Sequence, residues 1–175
     1  MRGGADVVQL RQKKLGRGEL LAAARALREI TAEAGKVFVV NDHVDIALLS
    51  EADGVHLGPD DLSVAAARRV AGDRLLVGVS ASTADAVPEG ADYVGCGAVF
   101  ATPIKSAKQP IGPAAVAALS KALSIPVFAI GGIDASNVMQ LVAAGVRRVC
   151  VIRAVGDAVD PEKAARELRA MLDAK

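Results

Sequence analysis

Short apolar runs alternate with amphipathic stretches along the whole chain. The run "DVVQLR" predicts a strand, and "GELLAAARALREITAEAG", with apolar residues three and four apart, predicts the helix that follows it. The later strands are predicted in "KVFVV", "GVHLG", "LLVGVS", "YVGCGAVF", "PVFAIGGI" and "RRVCVIRAV". The intervening helices are predicted in "HVDIALLSEA", "DLSVAAARRVAG", "TADAVPEGA", "GPAAVAALSKAL", "DASNVMQLVAAG" and "DPEKAARELRAML". The pattern thus predicts about seven βα units joined by short connections.

Sustained βα alternation predicts a parallel sheet, either open and doubly wound or closed as a (β/α)₈ barrel. The first strand is not followed by G-x-G-x-x-G, which argues weakly against a dinucleotide-binding fold. A barrel normally has eight units and about 200 residues or more, so this chain is one unit short. Its opening "GGAD" is typical of a helix end leading into a strand. If the fold is a barrel, we expect the first strand and most of the first helix to be missing.

Composition narrows the class of protein. The chain has 175 residues, of which 52% are hydrophobic and only 2% aromatic, which suits parallel strands covered by Ala-rich helices. A net charge of +1 gives no reason to expect a nucleic acid or an anionic membrane as partner. Cys96 and Cys150 lie in apolar runs and are predicted to be reduced core residues. With no signal peptide or membrane span recognisable, we expect a cytoplasmic protein, and the oligomeric state, including a homo-oligomer, stays open.

Polar residues or glycines follow almost every predicted strand, where parallel α/β folds place their sites. The first strand ends with Gln9, Arg11 and Lys13 at alternate positions, and therefore on one face. The same positions of later strands hold Asn41, Asp42, His56, Asp60, Asp61, Ser80, Thr102, Lys105, Lys108, Gly131, Gly132 and Arg153. In a parallel barrel all these positions would share one rim.

This inventory suits a magnesium–diphosphate complex. Asp42 and Asp61 could hold Mg²⁺, which favours one or two carboxylates together with substrate phosphates. Cationic Arg11, Lys13 and Lys105 suit a diphosphate, and glycines before a helix suit a phosphate. Each feature also has a purely structural interpretation: Asn41 and Asp42 could be helix N-caps, His56 a hydrogen-bonded structural residue, and the cations solvated surface charges.

The motifs "VQLRQK", "VNDHVDIAL", "DGVHLGPDDL", "GVSAST", "GADYVGCGAVFATPIK", "PVFAIGGI" and "VCVIRAV" resemble, in order and spacing, those of the thiamine phosphate synthase family. The resemblance covers essentially the whole chain and implies a single (β/α)₈ TIM-barrel domain over residues 1–175, N-terminally truncated to about seven βα units. The activity it implies joins 4-amino-2-methyl-5-pyrimidinylmethyl diphosphate to 4-methyl-5-(2-phosphoethyl)thiazole and releases pyrophosphate, with Mg²⁺ as cofactor.

The resemblance also implies roles for individual residues. Asp42 and Asp61 would bind Mg²⁺, and Arg11, Lys13 and Lys105 would be catalytic because they stabilise the departing diphosphate. The full set of implied substrate-binding residues is Gln9, Leu10, Arg11, Gln12, Lys13, Asn41, Ser80, Thr102, Pro103, Ile104, Lys105, Gly132, Ile152 and Arg153. We further expect the Asp42 and Asp61 carboxylates to lie within about 8 Å of each other, and Lys105 to lie on a mobile loop.

The chain departs from the family pattern at several points. Ile104 stands where a second threonine is usual, Arg153 where serine is usual, and Ala98 where proline is usual in "GPVF". Two alternatives therefore stay open. One is the related thiazole tautomerase, although that isomerase typically has histidine at the position of Ala98 and lacks an equivalent of Asp61. The other is a catalytically impaired, truncated homologue, whose activity an added N-terminal βα unit would restore.

Overall fold

The structure is a computed structural model that describes residues 1–102 and 109–174. Contacts between residues divide it into two compact units. The first unit comprises Met1, Ala5–Val79 and Pro88–Asp92, and the second comprises Arg2–Gly4, Ser80–Val87 and the described residues from Tyr93 onward. Both units are built from parallel strands and helices in alternation.

The first unit contains the first four strands and three helices. Their bounds are β1 Val7–Leu10, α1 Arg17–Glu33, β2 Val37–Asn41, α2 Val44–Leu49, β3 Gly54–Leu57, α3 Val64–Ala71 and β4 Leu76–Ser80, whose last residue belongs to the second unit. Neighbouring strands in chain order pair in parallel, with Val39 opposite Gly54 and Asn41 opposite His56. Apolar residues bury most of β2 and β3 and the middle of β4, whereas β1 is half-buried to exposed, with Val7 42% exposed.

Asp92 stabilises the start of β4 in this unit. Asp92 Oδ2 accepts a hydrogen bond from the Val77 amide (2.6 Å) and forms an ion pair with the guanidinium of Arg68. Arg68 also donates to the carbonyl oxygens of Leu75 (2.8 Å) and Gly90 (2.9 Å). One partly buried arginine thus satisfies several backbone acceptors that lie outside the strands.

The second unit contains the other three strands and four helices. Their bounds are β5 Tyr93–Cys96, α4 Gly112–Ala122, β6 Val127–Ile130, α5 Val138–Ala143, β7 Val149–Cys150, α6 Arg153–Gly156 and α7 Pro161–Asp173, and a 3₁₀ turn covers Ala84–Ala86. The strands β5, β6 and β7 pair in parallel, with Gly95 opposite Phe128 and Ala129 opposite Val149. The rings of Tyr93 and Phe128 pack edge to face at 5.7 Å between centroids.

The predicted fold is confirmed as an α/β fold with seven parallel strands in chain order. An eighth strand that would close a (β/α)₈ barrel is not among the elements of residues 1–102 and 109–174. The N-terminal truncation and the single-domain organisation over residues 1–175 stay predictions. Within the described ranges, the structure has no helix long and apolar enough to cross a membrane.

Several predicted strand bounds were wrong. The run "RRVCVIRAV" contributes only Val149–Cys150 to a strand, because the chain turns at Ile152, whose carbonyl accepts the Gly156 amide at 2.7 Å to start a helix. Periodicity does not distinguish a short apolar strand from a buried turn into a helix. β1 ends at Leu10, so that Arg11 and Lys13 lie in the following loop and not on one face of the strand.

The structural interpretation of Asn41 and Asp42 as helix N-caps is also wrong. Asn41 and Asp42 do not cap this helix; its N-cap is His43, without a side-chain capping bond. Asn41 is the last residue of β2, and Asp42 lies between strand and helix. The backbone of Asp42 has a φ of 67°, which is incompatible with an N-cap in the usual extended conformation.

Candidate active site

The turn between β2 and α2 presents Asp42 in a left-handed backbone conformation. Its φ of 67° lies in the region where Asp and Asn are the most tolerated non-glycine residues. Two backbone hydrogen bonds stabilise the turn: the Asp42 amide donates to the His56 carbonyl (2.8 Å), and the His43 amide donates to the Asn41 carbonyl (2.8 Å). The position of this carboxylate is therefore determined by the pairing of β2 with β3.

A second carboxylate and an ammonium group lie beside Asp42. Lys13 Nζ is 3.3 Å from Asp42 Oδ2, and the Asp42 side chain is only 15% exposed. Asp61 Oδ2 accepts a hydrogen bond from the Gly58 amide (2.7 Å). The pKa of Asp61 is raised, first by burial and then by a hydrogen bond and repulsion from Asp42, although Gly58 and Lys13 act in the opposite direction.

This arrangement fits a hydrated divalent cation. Burial is the main cause of the raised pKa of Asp61, and repulsion from the Asp42 carboxylate adds to it. A cation between the two carboxylates would relieve this repulsion. In the described part of the chain, no group of three or more His, Cys, Asp or Glu side chains could hold a metal ion. Two carboxylates are nevertheless the usual protein contribution to Mg²⁺ that also binds substrate phosphates.

The remaining site residues predicted in the first unit lie in β1 and the loop after it. Gln9 and Leu10 end the strand and are half-buried, whereas Arg11 and Gln12 are exposed. Gln12 Oε1 accepts a hydrogen bond from the Lys14 amide (3.0 Å), which makes a tight turn. The first unit therefore brings Lys13, Asp42 and Asp61 together and leaves Arg11 accessible to a ligand.

In the second unit, the glycines after β6 pack closely against the segment that follows β5. Gly132 has a φ of 68°, and a Cβ atom on it would lie 2.5 Å from the Ala101 carbonyl oxygen. The Phe100 amide donates to the Gly131 carbonyl (3.0 Å), and Asn137 Nδ2 donates to the Gly132 carbonyl (2.8 Å). Glycine is thus required here for the close approach of two backbones.

The other predicted residues of this unit lie at strand and helix ends. Ser80 is the last residue of β4 and is exposed, while Thr102 is half-buried. Ile152 is the N-cap of α6 and Arg153 its first residue, and both are exposed. Pro103, Ile104 and Lys105, together with the predicted mobile loop, lie outside the described residues.

Sequence reasoning missed a polar network around the start of α2. Arg17 forms an ion pair with Asp45, and one of its Nη atoms lies 3.1 Å from His43 Nδ1. The sequence does contain a signal for this network: Arg17 lies at the start of α1, and His43 and Asp45 lie at the start of α2. This signal could not be recognised, because Arg17 is separated from His43 by 26 positions and from Asp45 by 28 positions in the chain.

Comparison with known proteins decides the family. The family described as thiamine monophosphate synthase matches residues 1–155. This chain belongs to that family. The thiamine-phosphate synthase of Moorella thermoacetica is 47% identical over 172 residues, which are 95% of this chain and 82% of the relative. That of Methanoculleus marisnigri is 49% identical over 172 residues, with the same coverage of 95% and 82%.

A solved structure agrees with this assignment. Thiamine phosphate pyrophosphorylase from Pyrococcus furiosus superimposes with a TM-score of 0.91 at 36% identity, covering 98% of this chain and 85% of that one. A 3-hexulose-6-phosphate synthase superimposes with a TM-score of 0.72 at 23% identity, covering 95% and 86%, and shows likeness of fold alone. The family predicted from the motifs, a family of thiamine-phosphate synthases, is therefore confirmed.

Proposed function

We propose that this chain is a thiamine phosphate synthase that joins 4-amino-2-methyl-5-pyrimidinylmethyl diphosphate to 4-methyl-5-(2-phosphoethyl)thiazole. The observation that carries the proposal is the contact of Asp42 with both Asp61 and Lys13, in a chain of this family. Two carboxylates and an ammonium group, in the loops that follow three neighbouring strands, suit a Mg²⁺ ion and the diphosphate that it accompanies. The reaction needs neither a protein nucleophile nor a general base, because the thiazole nitrogen already carries a lone pair.

In the proposed reaction, the bond between the pyrimidinylmethyl carbon and the diphosphate oxygen breaks, and its electron pair leaves with pyrophosphate. The lone pair of the thiazole nitrogen then forms the new C–N bond, so that no proton transfer is needed to activate the nucleophile. When bound, Mg²⁺ would neutralise part of the charge that develops on pyrophosphate. Lys13 and Arg11 would neutralise more of this charge from the loop after β1.

The pyrimidine diphosphate would be bound by Gln9, Leu10, Gln12, Asn41 and Ser80 in addition to the charged groups. The thiazole phosphate would be bound by Thr102 and by the backbones of Gly132, Ile152 and Arg153. The position of Gly132 just after the carboxyl end of β6 supports its part in this assignment, because parallel α/β folds bind ligands at that end of their strands. Pro103, Ile104 and Lys105 complete the proposed set.

The isomerase alternative is not favoured. The related tautomerase typically lacks the second aspartate, whereas Asp61 is present and interacts with Asp42. Ala98, which replaces the usual histidine of the tautomerase, is 4% exposed in the second unit and has no proton to transfer. We therefore retain the synthase as the proposed function.

The test is product formation from both substrates, measured by chromatography of thiamine phosphate after its oxidation to a fluorescent derivative. We expect product with Mg²⁺ and little product after chelation of the metal with EDTA. Omission of either substrate is the control for carried-over thiamine phosphate. Absence of product at saturating Mg²⁺ would contradict the proposal, as would equal rates with Mg²⁺ and with EDTA.

A further inference from the structure

Arg17 occupies an unfavourable place unless it has a specific partner. It is the first residue of α1, where the positive end of the helix dipole disfavours a cation. Its guanidinium reaches the start of α2, where it forms an ion pair with the Asp45 carboxylate and places one Nη atom 3.1 Å from His43 Nδ1. The pKa of Asp45 is lowered, chiefly by the hydrogen bond from Arg17. The rigid fork of an arginine suits such a two-point contact.

The two partners of Arg17 flank the turn that carries Asp42. His43 is the next residue in the chain and the N-cap of α2, and Asp45 lies in the first turn of that helix. The left-handed conformation of Asp42 persists only where the surrounding structure enforces it. The Arg17 contacts therefore act on the segment that determines where the Asp42 carboxylate points.

Lys13 also contacts Asp42, but its side chain is 60% exposed, and under the proposed function its ammonium group binds the diphosphate as well. Among the described residues, the polar contacts of Arg17 are with His43 and Asp45, neither of which is assigned to a substrate, and these contacts can persist when a ligand binds.

We propose that Arg17 is a positioning residue, which holds the β2–α2 turn through His43 and Asp45 so that Asp42 can bind the Mg²⁺–diphosphate complex. The inference rests on the proposed function and deepens it. Groups that orient metal ligands typically change metal affinity or activity by 10–100-fold when removed. Because Arg17 and Asp45 are both more than half exposed, we expect a change near the lower limit, about tenfold.

The experiment compares Arg17→Gln, Arg17→Lys and the control Arg25→Gln. Arg25 lies on the same helix, and its Nε donates to the Leu49 carbonyl (3.4 Å) at the far end of α2. The control thus removes an arginine that also joins α1 to α2 but does not touch the Asp42 turn. Binding of pyrophosphate in the presence of saturating Mg²⁺ is measured by calorimetry, and KM is measured for each substrate.

For Arg17→Gln we expect the Kd of pyrophosphate and the KM of the pyrimidine diphosphate to rise about tenfold. The KM of the thiazole phosphate should stay within about twofold of the wild-type value, and Arg17→Lys, which keeps the charge but not the fork, should be intermediate. Arg25→Gln should leave all three constants unchanged. Because these are exposed contacts, each variant should melt within about 4 °C of the wild type.

Equal constants for Arg17→Gln and Arg25→Gln would overturn the inference while leaving the proposed function intact. A parallel rise in both KM values would also overturn it, since that result indicates general loosening of the fold. If the wild-type chain binds no pyrophosphate with Mg²⁺ and forms no product, the proposed function fails, and this inference fails with it.

Discussion

Replacement of Asp42 by Asn is the sharpest test of the proposed metal site, because it removes a charge and changes almost nothing else. Asn adopts a φ near 67° as readily as Asp, so the backbone of the turn should not be strained. The lost ion pair with Lys13, whose side chain is 60% exposed, is worth about 0–1 kcal/mol. Relief of the repulsion between Asp42 and Asp61 acts in the opposite direction.

Stability and activity should therefore respond very differently. We expect the free energy of unfolding to change by less than about 1 kcal/mol, which corresponds to about 2–4 °C in Tm for a chain of this size. A metal ion contributes several kcal/mol to stabilising charge in a transition state. If about 3 kcal/mol is lost, kcat/KM falls by more than about a hundredfold, since each 1.36 kcal/mol is a factor of ten.

The assay measures thiamine phosphate formation as a function of Mg²⁺ concentration, with thermal denaturation of the same samples. Asp60→Asn is the matched control, because Asp60 is an exposed neighbour of Asp61 to which no metal role is assigned. The reasoning would be refuted if Asp42→Asn retained activity within about threefold of the control, or if its loss of activity came with an equally large loss of stability.

Three further predictions concern the rest of the molecule. Gly145→Ala should lower the free energy of unfolding by about 1–2 kcal/mol, because a φ of 80° is strained for alanine even where the side chain has open space. Gly132→Ala should lower it further and abolish activity, because a Cβ there meets the Ala101 carbonyl oxygen at 2.5 Å. Equal urea midpoints for the two variants would contradict this prediction. Arg68→Ala should lower the free energy of unfolding by about 3 kcal/mol, whereas the control Arg69→Ala, at an exposed neighbour, should lower it by less than about 0.5 kcal/mol. A difference under about 1 kcal/mol between the two variants in urea unfolding would show that the Arg68 contacts are weak. Burial raises the pKa of Cys96, so a thiolate-specific reagent at pH 8 should modify it only after unfolding, and rapid labelling of the native protein would disprove that burial.

Local pattern alone determined the order of the elements and the residues near the site. The apolar β-branched run Val37–Val40 forms a buried strand as predicted, because hydrophobic periodicity and strand propensity act within a few residues. The sequence likewise indicated Asp42 and Asp61, since residues after parallel strands lie at one edge of the sheet. The sequence did not predict where each strand ends, because a strand ends where its neighbour stops offering hydrogen-bond partners. The run "RRVCVIRAV" is an example, since only Val149–Cys150 forms a strand.

Only the tertiary structure decided which polar residues contact one another and in which conformation. The left-handed backbone of Asp42 depends on its hydrogen bond to the His56 carbonyl of the neighbouring strand, and no local preference requires it. The contact of Arg17 with His43 and Asp45 likewise depends on how α1 packs beside α2. Charge and hydrogen bonding act over a few ångströms in space, whatever the separation in the chain. For that reason the sequence could indicate the carboxylates of the site but not Arg17, which contacts the residues that flank the Asp42 turn.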